Sequence, residues 1–197
     1  MPPTTPPRHV LASSSVYRRE LLARLKIDFE TCSPDIDETA RPGENPEAQA
    51  LRLACAKAAT AAVRHPAALI IGSDQVALCN GRELAKPGDH ARAKLQLGMM
   101  SGKTITFHTA LCLLNAISGR QQTAVVPVTV QMRVLDDAAI ERYLAAEQPY
   151  DCAGSARIEA LGITLIDKIS GDDPNALIGL PLIALCRMLR NEGLSLP

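Results

Sequence analysis

The chain has 197 residues, 21 basic and 21 acidic side chains, and a hydrophobic fraction of 47%. That length suits one α/β domain with a real core. The zero net charge excludes a long stripe of nucleic-acid contacts, which needs surplus Lys and Arg, but a small anionic ligand needs only a few local cations.

The opening Met1-Pro-Pro-Thr-Thr-Pro-Pro7 lacks the basic and apolar regions of a signal peptide. Its proline content predicts a disordered tail over residues 1–8, ahead of a single domain over 9–197. Val10-Leu-Ala12 then reads as a short strand, Ser13-Ser-Ser15 as a turn, and Leu21, Leu22 and Leu25 as the apolar face of a helix. Phe29 to Ser33 suits a second strand, and Pro34 to Pro46 is a polar loop rich in acids and prolines. Asn45 caps a helix that opens at Pro46 and runs to about His65. Leu51, Ala54, Cys55, Ala58 and Ala62 are its expected apolar stripe.

Ala68-Leu-Ile-Ile71 is continuous and apolar, as in a strand covered on both faces. It is expected to end at Gly72-Ser-Asp-Gln75 and to resume as Val76 to Cys79, before an Asn80-Gly81 turn. Asp89 can cap a third helix to about Met100. Thr104 to Asn115 and Thr123 to Val134 suit strands joined at Ser118-Gly119, and Asp136 caps a helix to about Glu147. Ile163 to Ile166 suits another strand, and Pro181 to Asn191 an amphipathic helix closed by Gly193. The order predicts an α/β fold with a mixed sheet flanked by helices. The six cysteines have no zinc or redox spacing and lie in or beside apolar stretches. They read as reduced thiols of a soluble, cytoplasmic protein, and no apolar run approaches the roughly 20 residues of a membrane helix.

Several places could carry chemistry. Ser13-Ser-Ser15-Val-Tyr-Arg18 is a strand running into a helix N-terminus, with hydroxyl donors and a guanidinium, which suits a phosphate. It also suits a plain serine cap. Asp74, past an apolar run, could hold Mg²⁺ or take a proton from water, or could be a turn residue bonding its own backbone. Taken singly, Glu38 reads as a solvated loop acid, Lys57 as a surface lysine and Lys86 as a loop lysine before Pro87. The small residues of Gly154-Ser-Ala-Arg157-Ile-Glu159 would let a flat base approach the backbone, Asn175 to Pro181 reads as a structural lead-in to the last helix, and the histidines make no case for a metal.

The order of these pieces is more specific than any one of them. Leu-Ala-Ser13-x-Ser15-x-x-Arg18-Arg19, Asp37-Glu38-Thr39, Arg52-Leu-Ala-x-x-Lys57-Ala58, Gly72-Ser-Asp74-Gln75-Val76, Lys86-Pro87, Met100-Ser-Gly102, Cys152-Ala-Gly154-Ser155 and Gly179-Leu-Pro181 together resemble the Maf family from about Val10 to the last helix. The resemblance implies a fold similar to inosine-triphosphate pyrophosphatases, with a central cleft. It implies hydrolysis of a nucleoside triphosphate to the monophosphate and pyrophosphate with a divalent metal (Mg²⁺ or Mn²⁺), and it leans toward a homodimer. By matching motif, Asp74 is the catalytic acid/base. Ser13, Ser15, Arg18, Lys57 and Lys86 surround the phosphates, and Glu38 joins Asp74 at the metal.

Tyr17, Gln75 and Glu159 stand where the 7-methyl-GTP branch has an aromatic residue, Gln and Glu, so the resemblance implies a house-cleaning role. A cationic methylated base stacks well on an electron-rich ring, and a carboxylate can accept from the guanine N1–H and N2–H₂ edge. Alternatives are dTTP or UTP as substrate, or a non-hydrolysing nucleotide-binding regulator of septation. Departures from the branch are Tyr17 for Trp, Val16 for Pro, Ala85 for Gly before Lys-Pro, and Ala110 for Gly.

Overall fold

The computed structural model describes residues 8–197, so the tail expectation for residues 1–7 lies outside the described residues. Arg8, assigned to that tail from sequence, is the first residue of strand β1 (Arg8–Ala12). The chain continues through α1 (Val16–Ala23), β2 (Phe29–Thr31), α2 (Pro46–Arg64), β3 (Ala68–Cys79), β4 (Arg82–Glu83), α3 (His90–Met100), β5 (Thr104–Asn115), β6 (Gln121–Met132), α4 (Asp137–Glu147), β7 (Ile166–Gly171), α5 (Pro174–Ile178) and α6 (Leu182–Asn191). The helix starts are where local cap chemistry puts them. Asn45, Asp89 and Asp136 each accept a backbone N–H three residues on, opening α2, α3 and α4.

One mixed seven-stranded sheet runs in the order β2-β1-β3-β5-β6-β7, with β4 paired to β3. β2, β1 and β3 are parallel, while β5, β6 and β7 are antiparallel to their neighbours. The expected break at Gly72–Gln75 is not there: β3 is a single strand of 12 residues. β5 supports it in unbroken register from Leu69 to Cys79. On its other side, pairing with β1 stops at Gly72, opposite Ala12, and β4 pairs only with Leu78 and Cys79. Among the described residues the sheet is therefore notched beside Ser73–Ala77, just past the carboxyl end of β1. Crevices outside strand carboxyl ends are where open α/β sheets bind ligands.

Helix α2 covers one face of this half-sheet, packing Ala50, Ala54, Ala58 and Ala61 on Val10, Ile70 and Cys112. Its buried stripe is rotated from the one expected: Ala50, Leu53, Ala54, Lys57, Ala58 and Ala61 face inward, while Leu51, Cys55 and Ala62 are only partly buried. Small side chains let the helix approach closely, and Gly72 leaves no side chain in its way. A Cβ there would lie 2.2 Å from the Ala54 carbonyl oxygen. Helices α1 and α6 cover the opposite face, through Leu21, Leu22, Leu185 and Leu189 on Leu11, Leu69 and Leu111. α3 and α4 pack with the far half of the sheet around Phe107, Val130 and Met132.

Ile163 to Ile166 is not a strand. Leu161–Leu165 form a 3₁₀ turn that leads into β7. Gly193, with φ at +88°, allows Leu194 N–H to reach back to Leu189 and close the last helix. All six cysteines are unpaired. Among the described residues, no helix is long and apolar enough to cross a membrane.

Candidate active site

The notch opens into a cleft of about 940 Å³. Ser13, Ser15, Tyr17, Arg18, Glu38, Lys57, Asp74, Gln75, Lys86 and Glu159 all line it, so every site residue expected from sequence reaches one cavity.

One end is built from the ends of regular elements. Ser15 caps α1, its hydroxyl oxygen accepting the Arg18 N–H at 3.3 Å, and Ser13 Oγ accepts the Ser15 N–H at 3.1 Å. Both oxygens are used as acceptors, which leaves the two O–H groups as donors. Arg18 Nε donates to the Gly179 carbonyl at 2.8 Å, anchoring one edge of the guanidinium. Burial pulls the Arg18 pKa down, opposed by the negative charge of Asp74 and Glu38. A guanidinium short of counter-charge in this way is one that an anion would stabilise.

Asp74 is on the α2 face of β3, beside Gly72, in the notch. Lys57, on the inner face of α2, donates to Asp74 Oδ1 at 2.6 Å and lies 2.7 Å from Glu38 Oε1. The surface-lysine reading of Lys57 is overturned: its side chain is 8% exposed, against 9% for Asp74 and 60% for Glu38. An ammonium this buried is tolerable only because it is paired. Burial raises the Glu38 pKa, but the Lys57 hydrogen bond and the charges of Lys57, Arg18 and Lys86 outweigh it, holding the carboxyl below its ordinary range. The turn reading of Asp74 also fails, since it lies inside a strand.

Side chains alternate along β3, so Ser73 and Gln75 point to the other face. Ser73 Oγ lies 2.8 Å from the Ala110 carbonyl and 2.9 Å from the Gly179 carbonyl. Gln75 Nε2 lies within 3.1 Å of Thr109 Oγ1 and the carbonyls of Ala176 and Leu177. Thr109 Oγ1 itself donates to Ala176, so it must accept from Gln75, and the amide orientation is fixed with Oε1 left for a ligand. Segment 175–181, read as structural, thus fastens Arg18, Ser73 and Gln75 through carbonyl groups, a role with no side-chain signature in sequence.

The other end is irregular. Tyr17 Oη is 3.8 Å from Cys152 Sγ, and the Arg157 guanidinium carbon sits 5.3 Å from the Tyr17 ring centroid. Arg157 pairs with Glu147 at 2.7 Å and approaches Glu159 at 3.8 Å. Burial pushes the Tyr17 phenol well above its usual range and the Cys152 thiol up to about 11, so both are neutral near pH 7. The sequence marks the stretch Gly154 to Glu159 but not the pairing of Arg157 with Glu147 and Tyr17, because nothing local connects residues 17, 147 and 157.

Two departures prove harmless to the backbone. Ala85 is not among the residues with positive φ, so a glycine's freedom is not needed there. Ala110 is fully buried opposite Asp74 in the β3–β5 register.

Among the described residues, no group of three or more His, Cys, Asp or Glu side chains is arranged to hold a metal. Glu38 and Asp74 nonetheless share one ammonium, so two hard oxygen donors already converge on a cation. That set fits Mg²⁺ or Mn²⁺, which commonly take one or two carboxylates and complete their shell from substrate phosphates and water.

Several known proteins with sequences similar to this chain share one name. A Cupriavidus pinatubonensis protein named 7-methyl-GTP pyrophosphatase is 56% identical over 193 residues, which covers 98% of this chain and 97% of that protein. Proteins of the same name from Aromatoleum aromaticum (58% identical, 95% of this chain and 97% of that protein) and Xanthomonas axonopodis pv. citri (56%, 97% and 100%) match similarly. The family model described as Maf-like protein matches residues 8–192, and with that match the chain belongs to the Maf family.

Proposed function

We propose that this protein hydrolyses 7-methyl-GTP to 7-methyl-GMP and pyrophosphate. The observation that carries the chemistry is the buried Lys57 bridging Asp74 and Glu38 in a cleft that Arg18 and Lys86 also line. A pure binder of phosphate has no use for a buried carboxylate beside its cations, whereas hydrolysis needs a group to orient and deprotonate water. The names of the relatives and the presence of Tyr17, Gln75 and Glu159 in the lining of the same cleft support the methylated guanine base.

In this reading the triphosphate lies against the Ser13 and Ser15 hydroxyls, Arg18 and Lys86. Asp74 accepts the proton of a water that attacks the α-phosphorus, and the bond from that phosphorus to the bridging oxygen breaks as pyrophosphate leaves. Lys57 and Arg18 offset the charge that builds on the phosphate oxygens. Glu38 and Asp74 would hold the divalent cation, which when bound draws phosphate oxygens together and neutralises part of their charge. Gln75 Oε1 and the Glu159 carboxylate would accept from the guanine edge, and the negative charge of Glu159 favours a base made cationic by N7-methylation.

The test is pyrophosphate release from 7-methyl-GTP, GTP, dTTP and UTP with Mg²⁺ or Mn²⁺. A preference for 7-methyl-GTP is expected. Preference for dTTP or UTP would discard the base assignment and keep the chemistry. No release from any of the four would leave a nucleotide-binding regulator in its place.

A further inference from the structure

One face of the Tyr17 ring is already occupied. The Arg157 guanidinium lies over the ring, its Nη1 paired with Glu147 and its Nε toward Glu159. The fit is incomplete, since Arg157 Nε is buried without a hydrogen-bond partner, and such a group costs free energy. The backbone of Arg157, by contrast, is clamped. Its N–H donates to Tyr143 Oη at 3.0 Å, and its carbonyl accepts from Ala160 and Gly162. Any rearrangement at this residue therefore falls to the side chain, which can swing off the ring while keeping Glu147.

From this geometry we infer that Arg157 is an internal ligand of the base site, a planar cation that must leave Tyr17 before a nucleobase can stack there. The inference rests on the reading that the Tyr17 end of the cleft takes a guanine base, and not on whether that base is methylated. A planar cation flanked by Glu147 and Glu159 on an aromatic ring is the arrangement a methylated guanine would itself adopt, so guanidinium and base compete for one place. Competition with an internal group lowers the apparent affinity of every competing ligand by the same factor, the fraction of molecules with the ring vacant. Arg157 therefore weakens binding of methylated and unmethylated guanine alike, and the choice between them is left to Glu159.

The decisive variant is R157M/E147Q. It removes the guanidinium and also the carboxylate that R157M alone would orphan, so the local net charge stays as it was. Binding of 7-methyl-GMP and of GMP is measured by calorimetry for wild type and variant, with thermal melting to confirm folding. Both ligands should bind about three- to tenfold tighter in the variant, by a common factor. R157K keeps the charge and the Glu147 pair but not the flat guanidinium, and should fall between. Unchanged or weaker binding would overturn the inference, since it would make Arg157 a support for the base. A gain for 7-methyl-GMP alone would overturn it too, because that is charge repulsion and not occupancy. Failure of the proposed function appears separately, as absence of pyrophosphate release by the wild type, and leaves these binding outcomes readable.

Discussion

The two ends of the cleft are made differently. The end proposed for the phosphates hangs mostly on regular structure: the residue just past β1, the capped start of α1, the inner face of α2 and the middle of β3. Its groups are held by backbone geometry and by a helix packed in contact with a strand. The end proposed for the base joins Tyr17 of α1 and Gln75 of β3 to residues 148–162, an irregular stretch in which Gln148, Gly154 and Ser155 all take positive φ. Its groups are held mostly by one another, through Arg157 paired to Glu147, near Glu159 and over Tyr17. A fixed end suits chemistry, where misplacement by an ångström is costly. An end organised by exchangeable side-chain contacts suits selectivity, where a ligand can replace what is there.

The division is tested hardest at Asp74. D74N keeps an oxygen for Lys57 but loses the proton acceptor, so turnover should fall by about a thousandfold. Binding of 7-methyl-GMP should change little, as read by pyrophosphate release and calorimetry side by side. Turnover within tenfold of wild type would remove Asp74 from its role.

Gly72 asks whether the rigidity of the phosphate end matters. The 2.2 Å clash of an added Cβ is with backbone, the Ala54 carbonyl, so G72A must push α2 off β3 and carry Lys57 away from Asp74. The expected result is a loss of about 1–3 kcal/mol in stability and roughly a hundredfold in turnover, with the preference among bases intact. Denaturant titration and the substrate panel measure the two effects. A shift in base preference would mean that the two ends are coupled through the sheet.

The mirror-image variant is E159Q, which should leave kcat for 7-methyl-GTP nearly alone and reduce its kcat/KM advantage over GTP by about tenfold, the worth of one charged contact. A fall in kcat comparable to that of D74N would erase the distinction between the ends.

What could be read in advance follows the same division. The caps at Asn45, Asp89 and Asp136 and the Ser15 start of α1 were legible because a side chain bonding three residues on is local chemistry. The phosphate-end residues were legible as an ordered series, although each had a bland reading. Lys57 shows why: helical spacing marked an apolar stripe on α2 but did not show that a lysine would turn inward with it. Asp74 was misplaced at a strand end because Gly-Ser-Asp has turn composition, and only β5, some 40 residues on, keeps that segment extended. The stretch Gly154 to Glu159 was legible, but the pairing of Arg157 with Glu147 and the carbonyl of Gly179 were not. Their partners are distant in sequence, and a carbonyl has no residue type to announce it.

The smallest expected effect concerns Glu38, which, like Lys86, sits on a loop. Its carboxyl is held below its ordinary value of 4.5, by the Lys57 hydrogen bond and the surrounding cations acting against burial. A carboxyl depressed in the folded state binds its proton more weakly there than in the unfolded chain. Its stabilising contribution is therefore complete above the ordinary value and is lost as pH falls through the depressed one. Because the side chain is 60% exposed, solvent screening limits the contribution to about half a kcal/mol. Denaturant titrations of wild type and E38Q should differ by that margin at pH 7, and the gap should close as pH falls below the ordinary carboxyl value. A gap that stays constant with pH would mean that Glu38 contributes through packing and hydrogen bonding, not through its charge, and its loop would then belong with the fixed end of the cleft.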